Sequence, residues 1–183
     1  MKSVLISIQP KWCELIASGK KTVEVRKTRP KLETPFKCYI YCTKSKSYFA
    51  GKHPSIDKAF GGGMVIGEFV CDDIGEFKVF ENGSVQYWNY HELGKTCLTY
   101  DELANYIGRN KDGYGWHISN LVIYDKPREL SEFKKSGFMT EENWLAALYP
   151  NTHCHYEAWA KKFEITRPPQ SWCFIESGVE DNA

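Results

Sequence analysis

The chain has 183 residues, of which 42% are hydrophobic and 15% aromatic, a composition typical of one globular domain and unlike that of a disordered chain. No apolar run approaches the length of a membrane span, and the N-terminus has no hydrophobic signal segment. These absences argue against a membrane or secreted class and predict a cytoplasmic protein. Because the sequence shows neither a repeat nor a flexible linker, we expect a single domain over residues 1–183.

The formal net charge of +1 hides a strong asymmetry along the chain. Residues 1–60 contain 13 Lys and Arg against 4 Asp and Glu, a net charge of +9, whereas residues 61–183 contain 11 against 19, a net charge of −8. A basic segment on an otherwise acidic chain suits contact with phosphate, since counterion release drives nucleic-acid binding. Packing of the basic part against the acidic part explains the pattern equally well, so composition leaves both interpretations open.

The seven cysteines are scattered and odd in number, so we expect free thiols and no disulfide framework. Cys38 and Cys42 invite a metal interpretation, with His153, Cys154 and His155 as further ligands. On a strand, however, residues four apart are separated by roughly 13 Å, whereas a zinc–sulfur bond is about 2.3 Å. The sequence therefore predicts neither a metal nor another cofactor.

The first predicted elements are a short strand at Val4–Ile8 and an amphipathic helix. Pro10 suits the first turn of a helix, and Gly19 stands where a residue in the left-handed conformation would end it. Between them the apolar residues recur with helical spacing, at Trp12, Leu15 and Ile16. The order is thus strand, helix, tight turn and strand.

The segment from Gly19 to Arg26 is the densest run of alternating charged and β-branched residues in the chain. Strand parity from Thr22 onward places Glu24 and Arg26 on one face with Thr22. Lys21 points to the opposite face from Glu24 unless it still belongs to the turn. On its own, this pattern fits a solvated strand face with an exposed ion pair, which contributes little to stability.

A segment without periodicity runs from about residue 44 to residue 63 and ends in three glycines. It contains several aromatic residues and the cations Lys44, Lys46 and Lys52. A long loop in a compact domain is typically functional or mobile, and this mixture suits neutralisation of a phosphate backbone and stacking on bases. A solvated insertion anchored by a few aromatic residues fits equally well.

Glu68 lies within a predicted strand from Met64 to Asp72, on the face that carries its apolar residues. If this face is the interior, Glu68 is a buried carboxylate that needs a cationic or hydrogen-bonding partner, for which Lys21 or Arg26 is the obvious candidate. If the strand is turned the other way, Glu68 is exposed.

The second half of the chain carries turn and cap signals. Asn82-Gly83 predicts a hairpin turn, and Thr99 with Glu102 resembles a capping box for a helix that ends at Gly108. The remaining predicted elements are strands at 37–43, Phe77–Phe80, Ser84–Trp88, Tyr114–Tyr124 and Trp172–Glu176 and a helix at Thr140–Leu148. The last of these strands is expected to close a barrel.

The pattern Gly19-x-Lys21-x-x-Glu24-x-Arg26 resembles the G-x-K-x-x-E-x-R signature of the ASCH domain family. Three further stretches are similar to that family, at 7–12, 115–118 and 168–172, and the overall look is closest to compact ASCH proteins of bacteria and their phages. The resemblance implies an α+β fold, a PUA-like small mixed β-barrel flanked by helices. It also implies an association with RNA.

The same resemblance implies a cleft beside the first helix, lined by Lys21, Glu24 and Arg26. A guanidinium offers a planar fork to a phosphate or a base edge. An ammonium is a mobile charge suited to phosphate or, when desolvated, to proton transfer. Glu24 could hold the guanidinium of Arg26 or accept from an exocyclic amine. Lys20 is a further predicted phosphate contact, together with Lys44, Lys46 and Lys52.

Two aromatic residues and a histidine are further candidates for ligand binding. Trp116 and Trp172 could stack a base in such a cleft, and His117 could contact a phosphate or transfer a proton. Large aromatic side chains in a small domain also commonly belong to the core. Both interpretations therefore stay open for these three residues.

An enzyme is the first alternative. Some small ASCH proteins are similar to acetylcytidine amidohydrolases that use a Lys, a Thr and a Glu, and here Lys21 matches the Lys and Glu68 is a counterpart for the Glu. Glu24 occupies the Thr position, and a carboxylate cannot replace a hydroxyl nucleophile in acyl transfer. Ribonuclease activity is also reported for a few relatives.

The sequence as a whole predicts an RNA- or nucleotide-binding module that uses a basic cleft around its signature, with RNA or a nucleotide-like small molecule as partner. The first alternative is a hydrolase with Lys21 and Glu68 as proton-transfer groups. The second is a protein-interaction module whose basic part meets an acidic partner.

Overall fold

The computed structural model describes residues 2–44, 62–87, 92–148 and 153–176. Most of the predicted basic loop lies outside these ranges, including Lys46 and Lys52, and Lys44 is the last described residue before it.

Strands and helices alternate irregularly along the described chain. The strands are β1 (Lys2–Ile8), β2 (Val23–Arg26), β3 (Phe36–Cys42), β4 (Val65–Cys71), β5 (Ile74–Val79), β6 (Val85–Tyr87), β7 (Lys111–His117), β8 (Ser119–Arg128) and β9 (Trp172–Glu176). The helices are α1 (Pro10–Ala17), α2 (Glu92–Lys95), α3 (Tyr100–Ile107), α4 (Glu141–Leu148) and α5 (His153–Ala160), with 3-10 turns at Leu130–Glu132 and Lys161–Phe163. The predicted α+β class is confirmed.

The strands form two sheets. The first has the order β8-β4-β3-β1-β9 and the second the order β2-β7-β5-β6. β1 and β3 run parallel, whereas the other strand pairs are antiparallel. A parallel pair needs a crossover connection, and α1 with β2 supplies it. This connection places the signature strand beside the first sheet and not within it.

Two strand predictions need correction. Tyr114–Tyr124 is not one strand, because the chain passes from β7 in the second sheet to β8 in the first. Ile118 lies between them, buried, with its N–H donating to the carbonyl of Thr22 at 2.9 Å. The last strand forms where predicted but lies at one end of the first sheet, so within the described ranges the sheets do not join into a closed barrel.

Three clusters of buried side chains hold these layers together. The first lies where the inner face of the first sheet meets α1 and β7, and it contains both Cys38 and Cys42. The second covers the outer face of that sheet around Phe133 and Ile165. The third packs α3 on the second sheet through Leu103 and Ile107. Alternate residues of β1 and β3 enter different clusters because successive strand side chains point to opposite faces.

The turn after α1 positions the signature. Pro10 occupies the first turn of the helix, and Gly19, with a φ of +72°, ends it in the left-handed region as predicted. The backbone N–H of Lys21 then donates to the carbonyl of Leu15 at 2.9 Å. Lys21 therefore belongs to the turn, and β2 begins two residues later. Because Lys21 is not part of the strand, strand parity does not force its side chain to point away from that of Glu24.

Candidate functional site

A cleft of about 810 Å³, here called the signature cleft, lies between α1, β2, α3 and residues 168–170. Its charged lining residues are Lys21, Glu24, Arg26 and Glu102. The first three are buried, with side chains 2%, 6% and 8% exposed. Burying an ionised group costs several kcal/mol unless it is paired and hydrogen-bonded. The solvated ion pair that strand parity alone suggested is therefore not what forms.

Lys21 is held by three acceptors. Its Nζ donates to the carbonyls of Val23 at 2.8 Å and Thr96 at 2.7 Å and lies 3.3 Å from Oε2 of Glu24. An ammonium group has three N–H donors, so these contacts account for all of them. The ammonium also lies 5.2 Å from the centre of the Trp12 ring, within range of a cation–π interaction. Lys21 thus ties the turn, β2 and the segment after α2 together.

Arg26 is fixed by two acceptors and keeps one buried donor unpaired. Its Nη2 donates to the carbonyl of Ser7 at 2.7 Å and lies 3.0 Å from Oε1 of Glu24. Its Nε is buried and has no hydrogen-bond partner among the described residues. Leaving such a donor unsatisfied costs about 1–3 kcal/mol. A water or a ligand that accepts from it would remove this cost.

The segment Pro168–Gln170 forms one wall of the signature cleft because β1 holds it there. The Ser7 hydroxyl donates to the carbonyl of Pro169 at 2.6 Å, and the Ser7 N–H donates to the carbonyl of Ser171 at 2.9 Å. The same residue thus supports Arg26 through its carbonyl and the proline segment through its side chain. Residues far apart in sequence meet at this point.

Two aromatic residues and three amides complete the cleft. Trp12 is half-buried on α1, and Tyr106 on α3 is 39% exposed. Amide groups come from Gln9, Asn105 and Gln170. Sequence reasoning assigned Trp12 to the buried helix face and missed Tyr106. The sequence feature that marks Tyr106 as a candidate surface residue is its position directly before Ile107, on the polar side of a capped amphipathic helix.

The ASCH domain model matches residues 6–167 of this chain. The chain belongs to the ASCH domain family. Three of the four stretches that resemble ASCH proteins, at 7–12, 19–26 and 168–172, contribute residues to the signature cleft. The fourth, at 115–118, lies in and after β7, which pairs with β2 in a register that sets Glu24 opposite Trp116.

Solved ASCH structures from Zymomonas mobilis share the fold. A tyrosine-to-phenylalanine variant matches with a TM-score of 0.55 at 19% identity, covering 97% of this chain and 92% of that one. A serine-to-alanine variant matches with 0.54 at 19% identity and coverages of 96% and 89%. The unsubstituted protein matches with 0.50 at 18% identity and coverages of 96% and 88%. The PUA-like fold class is confirmed. No curated protein matches the sequence.

In this ASCH domain, Trp116 and Trp172 do not line the signature cleft. Trp116 is fully buried in the first cluster, with its ring 5.8 Å from that of Phe36 in an edge-on arrangement. Trp172 packs 6.1 Å from Trp116, and its Nε1 donates to the hydroxyl of Thr28 at 3.1 Å. The structure therefore supports a place in the hydrophobic core for Trp116. Trp172 instead anchors the loop after β2 through Thr28.

His117 also lies outside the lining of the signature cleft. Its Nδ1 lies 2.7 Å from Oδ1 of Asp72, and both side chains are partly exposed. Desolvation would raise the pKa of Asp72, but the hydrogen bonds that it receives, from His117 above all, hold that pKa below its ordinary value. The pair connects the end of β7 to the chain after β4.

Glu68 is not brought to Lys21 or Arg26. Its Oε1 lies 2.8 Å from Nζ of Lys37, and its Oε2 accepts from the Tyr124 hydroxyl at 2.6 Å. Partial burial favours the protonated form, but these two hydrogen bonds together with the positive charges of Lys37 and Arg128 hold the pKa of Glu68 below its ordinary value. Burial and the contact with Glu68 raise the pKa of Tyr124. The expected support of the cleft by Glu68 does not form, because its cross-strand neighbour Tyr39 belongs to the second cluster.

The remaining predicted contacts divide between the turn and the loop. Lys20 is exposed in the turn before Lys21, and Lys44 is exposed one residue after Thr43, which lines the signature cleft. Lys46 and Lys52 lie outside the described residues. Within the described ranges no group of three or more His, Cys, Asp or Glu residues is arranged to hold a metal ion. No helix in those ranges is long and apolar enough to cross a membrane.

Proposed function

We propose that this ASCH protein binds RNA or a nucleotide-like small molecule in the signature cleft, with Arg26 as the anchoring residue. The observation that carries this proposal is the state of Arg26. Its guanidinium is buried and held by two acceptors, its buried Nε has no partner among the described residues, and its side chain lines an open cleft. A planar guanidinium in a fixed orientation suits a phosphate or the acceptor edge of a base.

The fixed orientation of Arg26 favours binding because little freedom is lost when a ligand arrives. Glu24 and the carbonyl of Ser7 hold the guanidinium before any ligand is present. Lys21 and Arg26 together carry two positive charges against the one negative charge of Glu24. Glu102, the other charged lining residue, pairs with Lys11 at 3.6 Å. The three buried groups therefore leave a positive charge at the floor of the cleft, which favours an anionic or electron-rich ligand.

The walls of the signature cleft fit a base or a single nucleotide. Its volume of about 810 Å³ lies in the range of small-molecule sites. Trp12 and Tyr106 supply aromatic faces, on which an unpaired base can stack. The amides of Gln9, Asn105 and Gln170 supply both donors and acceptors for base edges. A base must be free of its own partner to enter such a cleft.

The geometry favours binding over hydrolysis by Lys21 and Glu68. The three donors of Lys21 are engaged by fixed acceptors, and Glu68 contacts Lys37 and Tyr124 instead of the cleft. We infer that Lys21 acts as a positioning residue that holds Glu24, which in turn holds Arg26.

The experiment compares the wild type with Arg26→Gln and Arg26→Lys by titration calorimetry, with cytidine, cytidine monophosphate and acetylcytidine as ligands. Loss of charge-assisted hydrogen bonds should weaken binding roughly tenfold to a hundredfold in Arg26→Gln. Arg128→Gln is a matched control, since Arg128 pairs with Glu132 outside the signature cleft. Circular dichroism checks that each variant folds.

Chromatography of the same mixtures separates binding from turnover. Conversion of acetylcytidine to cytidine by the wild type and not by Lys21→Ala would overturn the binding proposal in favour of an amidohydrolase. If no ligand, including a mixed-sequence octanucleotide RNA, binds the wild type, the proposal is wrong and the protein-interaction alternative remains.

A further inference from the structure

A second cleft of about 970 Å³, here called the loop cleft, opens beside the signature cleft. Residues 27–34 form one side of it, and Asp73, Ile74 and Tyr114 form the other. This loop begins at the residue directly after Arg26. The two clefts therefore share one continuous stretch of chain.

The loop presents its cations outward and anchors itself with the residues between them. Its exposed cations are Lys27, Arg29 and Lys31. Of the alternate residues, Thr28 accepts from Trp172, Pro30 is buried and Leu32 packs on the first cluster. Three exposed positive charges thus lie on a segment that is anchored by Trp172 and by the first cluster.

The charges of the loop cleft are only partly compensated. Lys31 and Lys27 form no ion pair within the part of the chain that the structure describes. Arg29 pairs with Glu76 at 3.8 Å, and both side chains are about half exposed, so the pair is weak. Two carboxylates, Glu33 and Asp73, also line the cleft against its three cations. The lining residues alone therefore carry a net charge of +1, and Glu76, which lies outside the lining, offsets it only through its weak pair with Arg29.

Two aromatic residues connect the cations of the loop to the clefts. Lys27 Nζ lies 5.2 Å from the ring centre of Tyr106, which lines the signature cleft. The guanidinium of Arg29 lies 5.9 Å from the ring centre of Tyr114, which lines the loop cleft. The first two cations of the loop thus each lie against an aromatic ring that lines one of the two clefts.

We propose that the loop cleft binds the nucleotides next to the one held in the signature cleft, so that the ligand is a single-stranded RNA and not an isolated nucleoside. Lys27, Arg29 and Lys31 contact its phosphates, and Tyr114 offers a face on which a neighbouring base stacks. This inference rests on the proposed function and extends it. Positive grooves that alternate with aromatic faces are typical of single-strand recognition.

The test measures affinity against ligand length and salt concentration. Fluorescence anisotropy compares a labelled cytidine monophosphate with single-stranded RNAs of two, four and eight nucleotides. Affinity should rise with length, and the octamer should weaken steeply with salt. The double variant Arg29→Gln, Lys31→Gln should reduce the slope of log K against log salt by about 1.4 and the octamer affinity roughly tenfold. Binding of the mononucleotide should not change.

Lys126→Gln is a matched control, since Lys126 is an exposed lysine on β8 and lines neither cleft. If affinity does not depend on RNA length, or if the double variant binds the octamer like the wild type, this inference is wrong. Binding of the mononucleotide would in that case still support the proposed function. If the octamer binds and the mononucleotide does not, the proposal that the signature cleft binds a nucleotide is wrong. Equal binding of polyglutamate and RNA would overturn this inference in favour of an acidic protein partner.

Discussion

Glu24 Oε1 lies 3.0 Å from Arg26 Nη2, and less than a tenth of either side chain is exposed. The second oxygen of the same carboxylate lies 3.3 Å from Lys21. Glu24 therefore bridges two buried cations at the floor of the signature cleft. It neutralises and orients its neighbours.

Glu24→Gln should lower the free energy of unfolding by about 3 kcal/mol or more, because removing one partner leaves buried charge uncompensated. Urea denaturation followed by circular dichroism measures this change. Glu76→Gln is the control, since Glu76 forms an exposed pair with Arg29 and its loss should cost less than about 1 kcal/mol. Equal effects of the two substitutions would contradict the structural role of Glu24.

The local elements could be predicted because their signals lie within a few residues. The capping box of Thr99 and Glu102 forms as expected, and so does the left-handed Gly19 after α1. The burial of β2 could not be predicted from parity. Both faces of this strand are covered, one by α3 and one by the layers around the signature cleft, so all four of its residues are buried.

The lining of the candidate site was predicted where neighbouring residues form it and missed where distant segments meet. Lys21, Glu24 and Arg26 lie within six residues and share the signature cleft. Trp116 and Glu68 do not, because the sequence cannot tell which face of a strand meets which layer. Tyr106 was missed as well: its sequence position places it on the polar side of α3, but its place in the cleft depends on how α3 packs on the second sheet.

Trp12 and Trp116 should respond differently to substitution. Trp12→Ala removes an aromatic wall of the signature cleft and should weaken binding of cytidine monophosphate roughly tenfold. Trp116→Phe should lower the free energy of unfolding by about 1–3 kcal/mol and leave affinity unchanged, because the ring fills the core. Calorimetric titration and urea denaturation of both variants check this. A loss of affinity in Trp116→Phe with full stability would place Trp116 in the site after all.

Glu68 should make stability depend on acid pH. Partial burial opposes ionisation, but the hydrogen bonds from Lys37 and Tyr124 hold its pKa in the folded protein below the ordinary value of 4.5. A lowered carboxyl pKa contributes stability above the unfolded pKa, and this contribution is lost as the pH falls through the folded pKa. The stability difference between wild type and Glu68→Gln should therefore shrink below about pH 4.5.

Urea denaturation of both proteins between about pH 3 and pH 7 measures that difference. Tyr124→Phe removes one of the two hydrogen bonds to Glu68 and should reduce the pH dependence without abolishing it. If wild type and Glu68→Gln lose stability in parallel over the whole pH range, the prediction that folding lowers the pKa of Glu68 is wrong.

Lys21 should prove to be a positioning residue. Lys21→Met removes the ammonium that donates to the carbonyls of Val23 and Thr96 and that is one of the two cations beside Glu24. Since Glu24 keeps Arg26 as its counter-charge, the free energy of unfolding should fall by the cost of the lost hydrogen bonds, about 1–3 kcal/mol. Ligand affinity should fall with it, because Glu24 no longer holds Arg26 in one orientation. Adding Glu24→Gln to Lys21→Met should cost much less than Glu24→Gln costs alone, since the two residues share one network. Strictly additive losses in this double-mutant cycle would mean that Lys21 and Glu24 act independently and that Lys21 does not position Arg26 through Glu24.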